Sequence, residues 1–251
     1  MDLPRGTVTF LFTDIEGSTR LWEESPEPMD RAVACHDEIL RDAVNSHGGY
    51  VFKTTGDGLC AVFAAASDAV AAAVAAQRRI LATVWGDVGE LRVRMALHTG
   101  DAKLRNGDYF GQAPNRCGRL MAAGHGGQVL VSAATLELAR DDLPPDTSLR
   151  DLGECGFRDL YRPERVAQLT HPDLPSQFPR CGGWTASPRT CPLRPRLWSV
   201  GSGHSPRTLK PVSELGGGLR GASPGGERTE TVAEATLPSR SGRQPPRSAC
   251  S

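Results

Sequence analysis

The sequence predicts an α+β fold, a ferredoxin-like βαββαβ sheet with helices on one face, followed by a disordered C-terminal tail. Three observations predict it. An unbroken apolar and β-branched run, Thr7 to Thr13, opens the chain; segments of helical period then alternate with short strands; and the composition changes abruptly near residue 180.

Each element has a local reason. TVTFLFT reads as a central strand buried on both faces, because no polar residue interrupts it. Ser25, Pro26 and Glu27 form an N-terminal helix signal, and Met29, Val33, Ile39, Leu40 and Val44 recur at helical spacing until His47, Gly48 and Gly49 stop the run. Tyr50 to Thr54 and Leu59 to Phe63 flank Thr55, Gly56, Asp57 and Gly58, the pattern of a hairpin. Ser67 is placed to cap a second helix, with Val70, Val74, Leu81 and Val84 as its apolar stripe and an end near Gly86. Leu91 to His98 alternates as a half-buried strand, and a short polar loop leads to Asp108. A third helix over 113–123, a strand over 129–132, a helix over 133–140 and weaker strands near 149–152 and 166–169 complete the reading. No internal repeat is present, which excludes solenoids.

The net charge of zero joins two unlike parts. Residues 1–179 carry 18 basic and 25 acidic side chains, a net of −7, whereas 180–251 carry 11 basic and 4 acidic, a net of +7. An acidic body of about 180 residues is large enough to bury roughly 70% of its unfolded surface and argues against a nucleic-acid groove. Seven cysteines with no CxxC pair read as reduced thiols. The start lacks the features of a signal peptide, and no 18-residue apolar run occurs. A cytoplasmic location without membrane contact is the expectation.

Asp14 directly follows the buried strand, and Asp57 sits on the hairpin turn. In a ferredoxin-like sheet these two positions converge, which is the arrangement two-metal phosphoryl chemistry needs. Either aspartate alone reads equally as a turn residue. The surrounding strings decide between the two readings: TFLFTDIEGST, VFKTTGDGLCAVF and DYFGQAPNRCGRLM resemble the class III nucleotidyl cyclases at three places in the right order, over about residues 6–170. The first string and GHGGQVLVS are most similar to soluble actinobacterial adenylate cyclases.

The resemblance implies a role for each matching position. Asp14, Asp57 and the backbone carbonyl of Ile15 fall on the ligands of two divalent ions, Mg²⁺ or Mn²⁺. Lys53 and Asp108 fall on the pair that recognises adenine, and Asn115 and Arg119 on the pair that orients the ribose and stabilises transition-state charge. The chemistry of the side chains agrees. Adenine offers a ring-nitrogen acceptor and an amino donor on one edge, so a lysine donor and an aspartate acceptor are complementary to ATP, and guanine presents the opposite pattern. Asn115 and Arg119, four residues apart on a predicted helix, share a face, and a guanidinium suits spread phosphoryl charge. The implied reaction converts ATP to 3′,5′-cyclic AMP and pyrophosphate in a homodimer whose two sites each draw on both subunits. No GxxxxGK string is present, so a P-loop is not expected.

Gly118 stands in the third helix where relatives usually carry Ala or Ser, and glycine is unfavourable there. This keeps open an alternative, a catalytically weak nucleotide-binding module that has lost its effector. Two domains are expected: residues 1–175 as the cyclase module and 176–251 as a disordered tail. From residue 180, Gly, Pro, Arg and Ser supply 40 of 72 residues, and Asp, Asn, Ile, Phe, Tyr and Met are absent. A GC-rich gene read in an unselected frame would produce that bias; an ordinary disordered tail is the other reading.

Overall fold

A computed structural model describes residues 3–157 and 163–179. The elements are β1 (Gly6–Ile15), α1 (Ser18–Glu24), α2 (Pro26–Ser46), β2 (Tyr50–Thr55), β3 (Gly58–Phe63), α3 (Ala66–Ala82), β4 (Val93–Arg105), β5 (Asp108–Phe110), α4 (Gln112–Ala123), β6 (Val129–Ser132), α5 (Ala133–Ala139), β7 (Ser148–Cys155) and β8 (Glu164–Thr170). The sheet runs β2-β3-β1-β4-β6-β8-β7, with β5 paired to β4. Its first four strands are the expected ferredoxin-like order, with β1 antiparallel to both β3 and β4. Of the expected tail, 176–251, the residues from 180 on lie outside the described residues.

Alternation along β1 builds two cores. Leu11 and Ile15 pack with α2, α3, Met95 and Leu97 on one face. Val8 and Phe10 pack with Val62, Ala96, Tyr109 and the apolar side of α4 on the other. The two helices of the βαββαβ unit thus share a face, as expected, and α4 covers part of the opposite one. Between β1, β4 and β6, buried hydroxyls satisfy one another: Thr9 Oγ1 is 2.9 Å from Thr99 Oγ1, which is 2.9 Å from Thr135 Oγ1. Ser132 Oγ continues the chain to His98 Nδ1 at 2.9 Å, so His98 is a satisfied core histidine.

Several elements depart from the sequence reading. Ser67 does not cap α3; the helix starts at Ala66, its N-cap residue is Ala65, and its last residue is Ala82 rather than one near Gly86. Of the expected stripe, Val70 and Val74 are buried but Leu81 and Val84 are exposed, and Ala69, Ala72, Ala73, Ala76 and Ile80 complete the buried side. The small alanines let α3 approach the sheet closely, so the stripe is set by size as well as by hydropathy. The strand at Leu91–His98 is β4, which runs on to Arg105 and turns at Asn106 and Gly107, both with positive φ, into β5. Helix α1 was not expected, because it buries no residue and carries no apolar period. Cys60, Cys117 and Cys155 are buried free thiols. Among the described residues no helix is long and apolar enough to cross a membrane.

Candidate active site

Strand β1 ends at Asp14 and Ile15, and the β2–β3 hairpin ends at Asp57. Pairing of Thr13 with Leu59 puts the two aspartates at the same end of adjacent strands. The hairpin is tight because Gly56 adopts φ 69°, and because a Cβ on Gly58 would stand 2.7 Å from the carbonyl oxygen of Thr13. Ile15 buries its side chain in the core and leaves only backbone for a ligand.

Oδ2 of Asp57 is buried without a hydrogen-bond partner. A buried carboxylate oxygen left unpaired is costly, and a cation satisfies it, so this residue fits a divalent ion. Asp14 Oδ2 instead accepts from Arg94, at 2.7 Å from Nε and 2.5 Å from Nη2. Among the described residues no group of three or more His, Cys, Asp or Glu side chains forms a metal cage. Two aspartates and a carbonyl would therefore leave coordination positions for substrate phosphates and water, the usual situation for Mg²⁺.

Three of the four remaining expected residues, Lys53, Asp108 and Asn115, line a cleft of about 380 Å³ together with Phe12, Phe52 and Cys60, among others. That volume suits a nucleobase with its sugar. Phe52 and Tyr109 meet edge to face at 5.0 Å, Phe10 and Tyr109 at 5.6 Å, and these rings build an apolar floor. At the rim, Lys53 Nζ donates to Asp108 Oδ2 at 3.3 Å, and Asp108 Oδ1 accepts the Tyr109 N–H at 2.7 Å. Asn115 and Arg119 stand one turn apart on α4. Neither Asp14, Asp57 nor Arg119 lines the cleft.

A β-bulge explains how β2 serves this cleft. Val51 pairs with Ala61, but Lys53 rather than Phe52 pairs with Cys60. The extra residue lets Phe52 and Lys53 both line the cleft, which strict alternation forbids. Burial, only partly offset by Lys53, pushes the Cys60 thiol up to about 11, so it is protonated at neutral pH.

A larger cleft of about 430 Å³, lined by Glu16, Arg92, His125, Leu174 and Phe178 among others, contains none of the seven expected residues. His125 stacks on Phe178 there, rings 6.2 Å apart and 4° from parallel. Sequence reasoning missed Arg94. Its only sequence signal was the alternation of LRVRMALH, and the register Asp14 with Arg94 is what brings it to the site.

The chain is similar in sequence and in fold to known cyclases. An uncharacterized protein of Mycobacterium tuberculosis is 46% identical over 178 residues, covering 70% of this chain and 60% of that protein, so the match spans well under two thirds of its length. An adenylate cyclase of Podospora anserina is 32% identical over 190 residues, 64% of this chain and 9% of that one. Among solved structures, an adenylate cyclase from Trypanosoma brucei in its monomeric state superposes with TM-score 0.63 at 27% identity, covering 71% of this chain and 94% of that one. The adenylyl cyclase CyaB from P. aeruginosa gives 0.58 at 25% identity, over 70% and 100%. With residues 3–157 also matching the family model of the adenylate and guanylate cyclase catalytic domain, the chain belongs to that family.

Proposed function

We propose that this chain is an adenylate cyclase, converting ATP to 3′,5′-cyclic AMP and pyrophosphate with two divalent ions, Mg²⁺ or Mn²⁺, as a cytoplasmic homodimer. The observation that carries the choice of ATP is the Lys53–Asp108 pair at the rim of an aromatic cleft. Lys53 donates to a ring nitrogen of adenine and Asp108 accepts from its amino group. Both side chains are partly exposed, 52% and 32%, and such a pair is worth at most about 1 kcal/mol. An incoming base can therefore replace it with two hydrogen bonds of its own.

Asp14, Asp57 and the Ile15 carbonyl would hold the ions. When bound, these lower the pKa of the ribose 3′-hydroxyl and neutralise the triphosphate. Asn115 orients the ribose, and Arg119 offsets charge on the phosphates as the 3′-oxygen attacks the α-phosphorus and the bond to pyrophosphate breaks. The cleft holds Lys53, Asp108 and Asn115 without either metal aspartate. This division supports a site completed by the second subunit.

Purified protein given ATP or GTP with Mn²⁺ or Mg²⁺ tests the assignment by chromatography of the cyclic product. Cyclic AMP from ATP, with GTP at least about a hundredfold poorer, is expected. Equal use of GTP, or binding without turnover, would overturn it. For the shared site, mixing an Asp57→Ala chain with an Arg119→Ala chain should restore activity that neither has alone.

A further inference from the structure

Thr13 stands immediately before Asp14 and is 2% exposed. Its Oγ1 accepts the backbone N–H of Leu59 at 3.1 Å and donates to the carbonyl oxygen of the same residue at 3.5 Å. One side chain therefore engages both backbone groups of the residue two places beyond Asp57. The neighbouring glycine strengthens the contact, since a Cβ at Gly58 would come within 2.7 Å of both the Thr13 carbonyl oxygen and Thr55 Oγ1.

We infer that Thr13 is a positioning residue for the cations: its hydroxyl fastens the Asp57 hairpin to the end of β1 and so sets the placement of the Asp14 and Asp57 carboxylates. The inference rests on the metal role proposed above. The bond is not needed to hold β1 in the sheet, because β1 pairs with β4 along its whole length from Gly6 to Ile15. Nor is it a general habit of threonine in this strand, because the Thr9 hydroxyl turns to Thr99 on β4. What it specifically restrains is the start of β3, next to the buried Asp57 Oδ2 that has no hydrogen-bond partner. A valine would keep the branched shape and burial but leave the Leu59 N–H without this acceptor.

Mn²⁺ binding to the full chain, measured by calorimetry without nucleotide, tests this apart from turnover. Thr13→Val should weaken Mn²⁺ by about tenfold, the usual effect of removing a group that orients a metal ligand, and Thr13→Ser should restore it. With ATP, half-maximal activity should shift to higher Mn²⁺ while KM for ATP at saturating Mn²⁺ stays unchanged. Should Thr13→Val fail to fold, Gly58→Ala displaces the same hairpin without touching the hydroxyl and carries the same expected loss. Native Mn²⁺ affinity in a folded Thr13→Val or Gly58→Ala chain, or a Thr13→Ser chain as weak as the valine, overturns the inference. Asp57→Asn with native Mn²⁺ affinity would instead remove the metal reading itself.

Discussion

Lys53 Nζ stands 3.3 Å from Asp108 Oδ2, so the donor and the acceptor assigned to adenine satisfy each other when no base lies between them. Reversing their polarity should reverse the base. In a Lys53→Glu/Asp108→Asn chain the glutamate accepts from guanine, and the asparagine donates to its carbonyl while keeping the acceptor used by the Tyr109 N–H. We expect kcat/KM for ATP to fall by at least about a hundredfold and the ratio of ATP to GTP use to invert. Competition assays with both nucleotides measure this, and an unchanged ratio would refute the role of the pair.

On the metal role proposed for Asp14, its ion pair with Arg94 sets the arginine in competition with the cation. An ion pair with both partners about a quarter exposed, 28% and 22%, contributes about 1 kcal/mol, so Arg94→Ala should tighten Mn²⁺ binding without nucleotide by about fivefold. Titration calorimetry would read the gain. Weaker binding in this variant would show that the arginine supports the carboxylate instead of occupying it.

Cys60 lines the cleft with its thiol pushed up to about 11 by burial. Because only the thiolate reacts, its fraction is about 0.1% at pH 8 and rises about tenfold per pH unit up to the pKa. Alkylation by iodoacetamide, followed by peptide mass spectrometry, should be slow at pH 8, accelerate with that slope, and slow again when ATP fills the cleft. Rapid labelling at pH 7 that ATP does not affect would contradict this placement.

Gly118 has room for a methyl group: its Cβ would meet the Phe12 ring at 3.8 Å, an ordinary contact. Gly118→Ala should therefore stabilise α4 by about 0.5–1 kcal/mol and raise Tm by about 1–4 °C. A firmer helix under Asn115 and Arg119 should leave turnover equal or higher. Thermal melts and initial rates decide it, and a lower Tm would mean that the glycine is sterically required.

Strands β1 and β2 and the hairpin turn were legible in the sequence because β-branched and aromatic residues run between glycines, whereas the short β5 was read as loop. The limits of α3 were not legible either. Ser67 offers a capping hydroxyl, yet the chain enters the helix one residue earlier at Ala66, and the buried face consists mostly of alanines that carry little hydropathy signal. Among the candidate site residues, Lys53, Asp108 and Asn115 line one cleft, although their motifs lie far apart in the sequence. Arg94 and Thr13 stayed hidden because their significance comes from cross-strand register, Arg94 opposite Asp14 and Thr13 opposite Leu59, which no local string encodes.

The bulge at Val51 to Lys53 makes residue count in β2 as consequential as residue identity. Removing Phe52 would restore regular pairing with Lys53 still opposite Cys60, and would take one aromatic ring out of the cleft floor. The deletion would spare every residue assigned to metal or adenine and still change the shape of the cleft. The turn at Asn106 and Gly107, by contrast, lies beyond the sheet's main ladders and can change length with less effect. Tolerance to insertion and deletion along this chain should therefore be lowest in a six-residue strand whose individual side chains are mostly exposed.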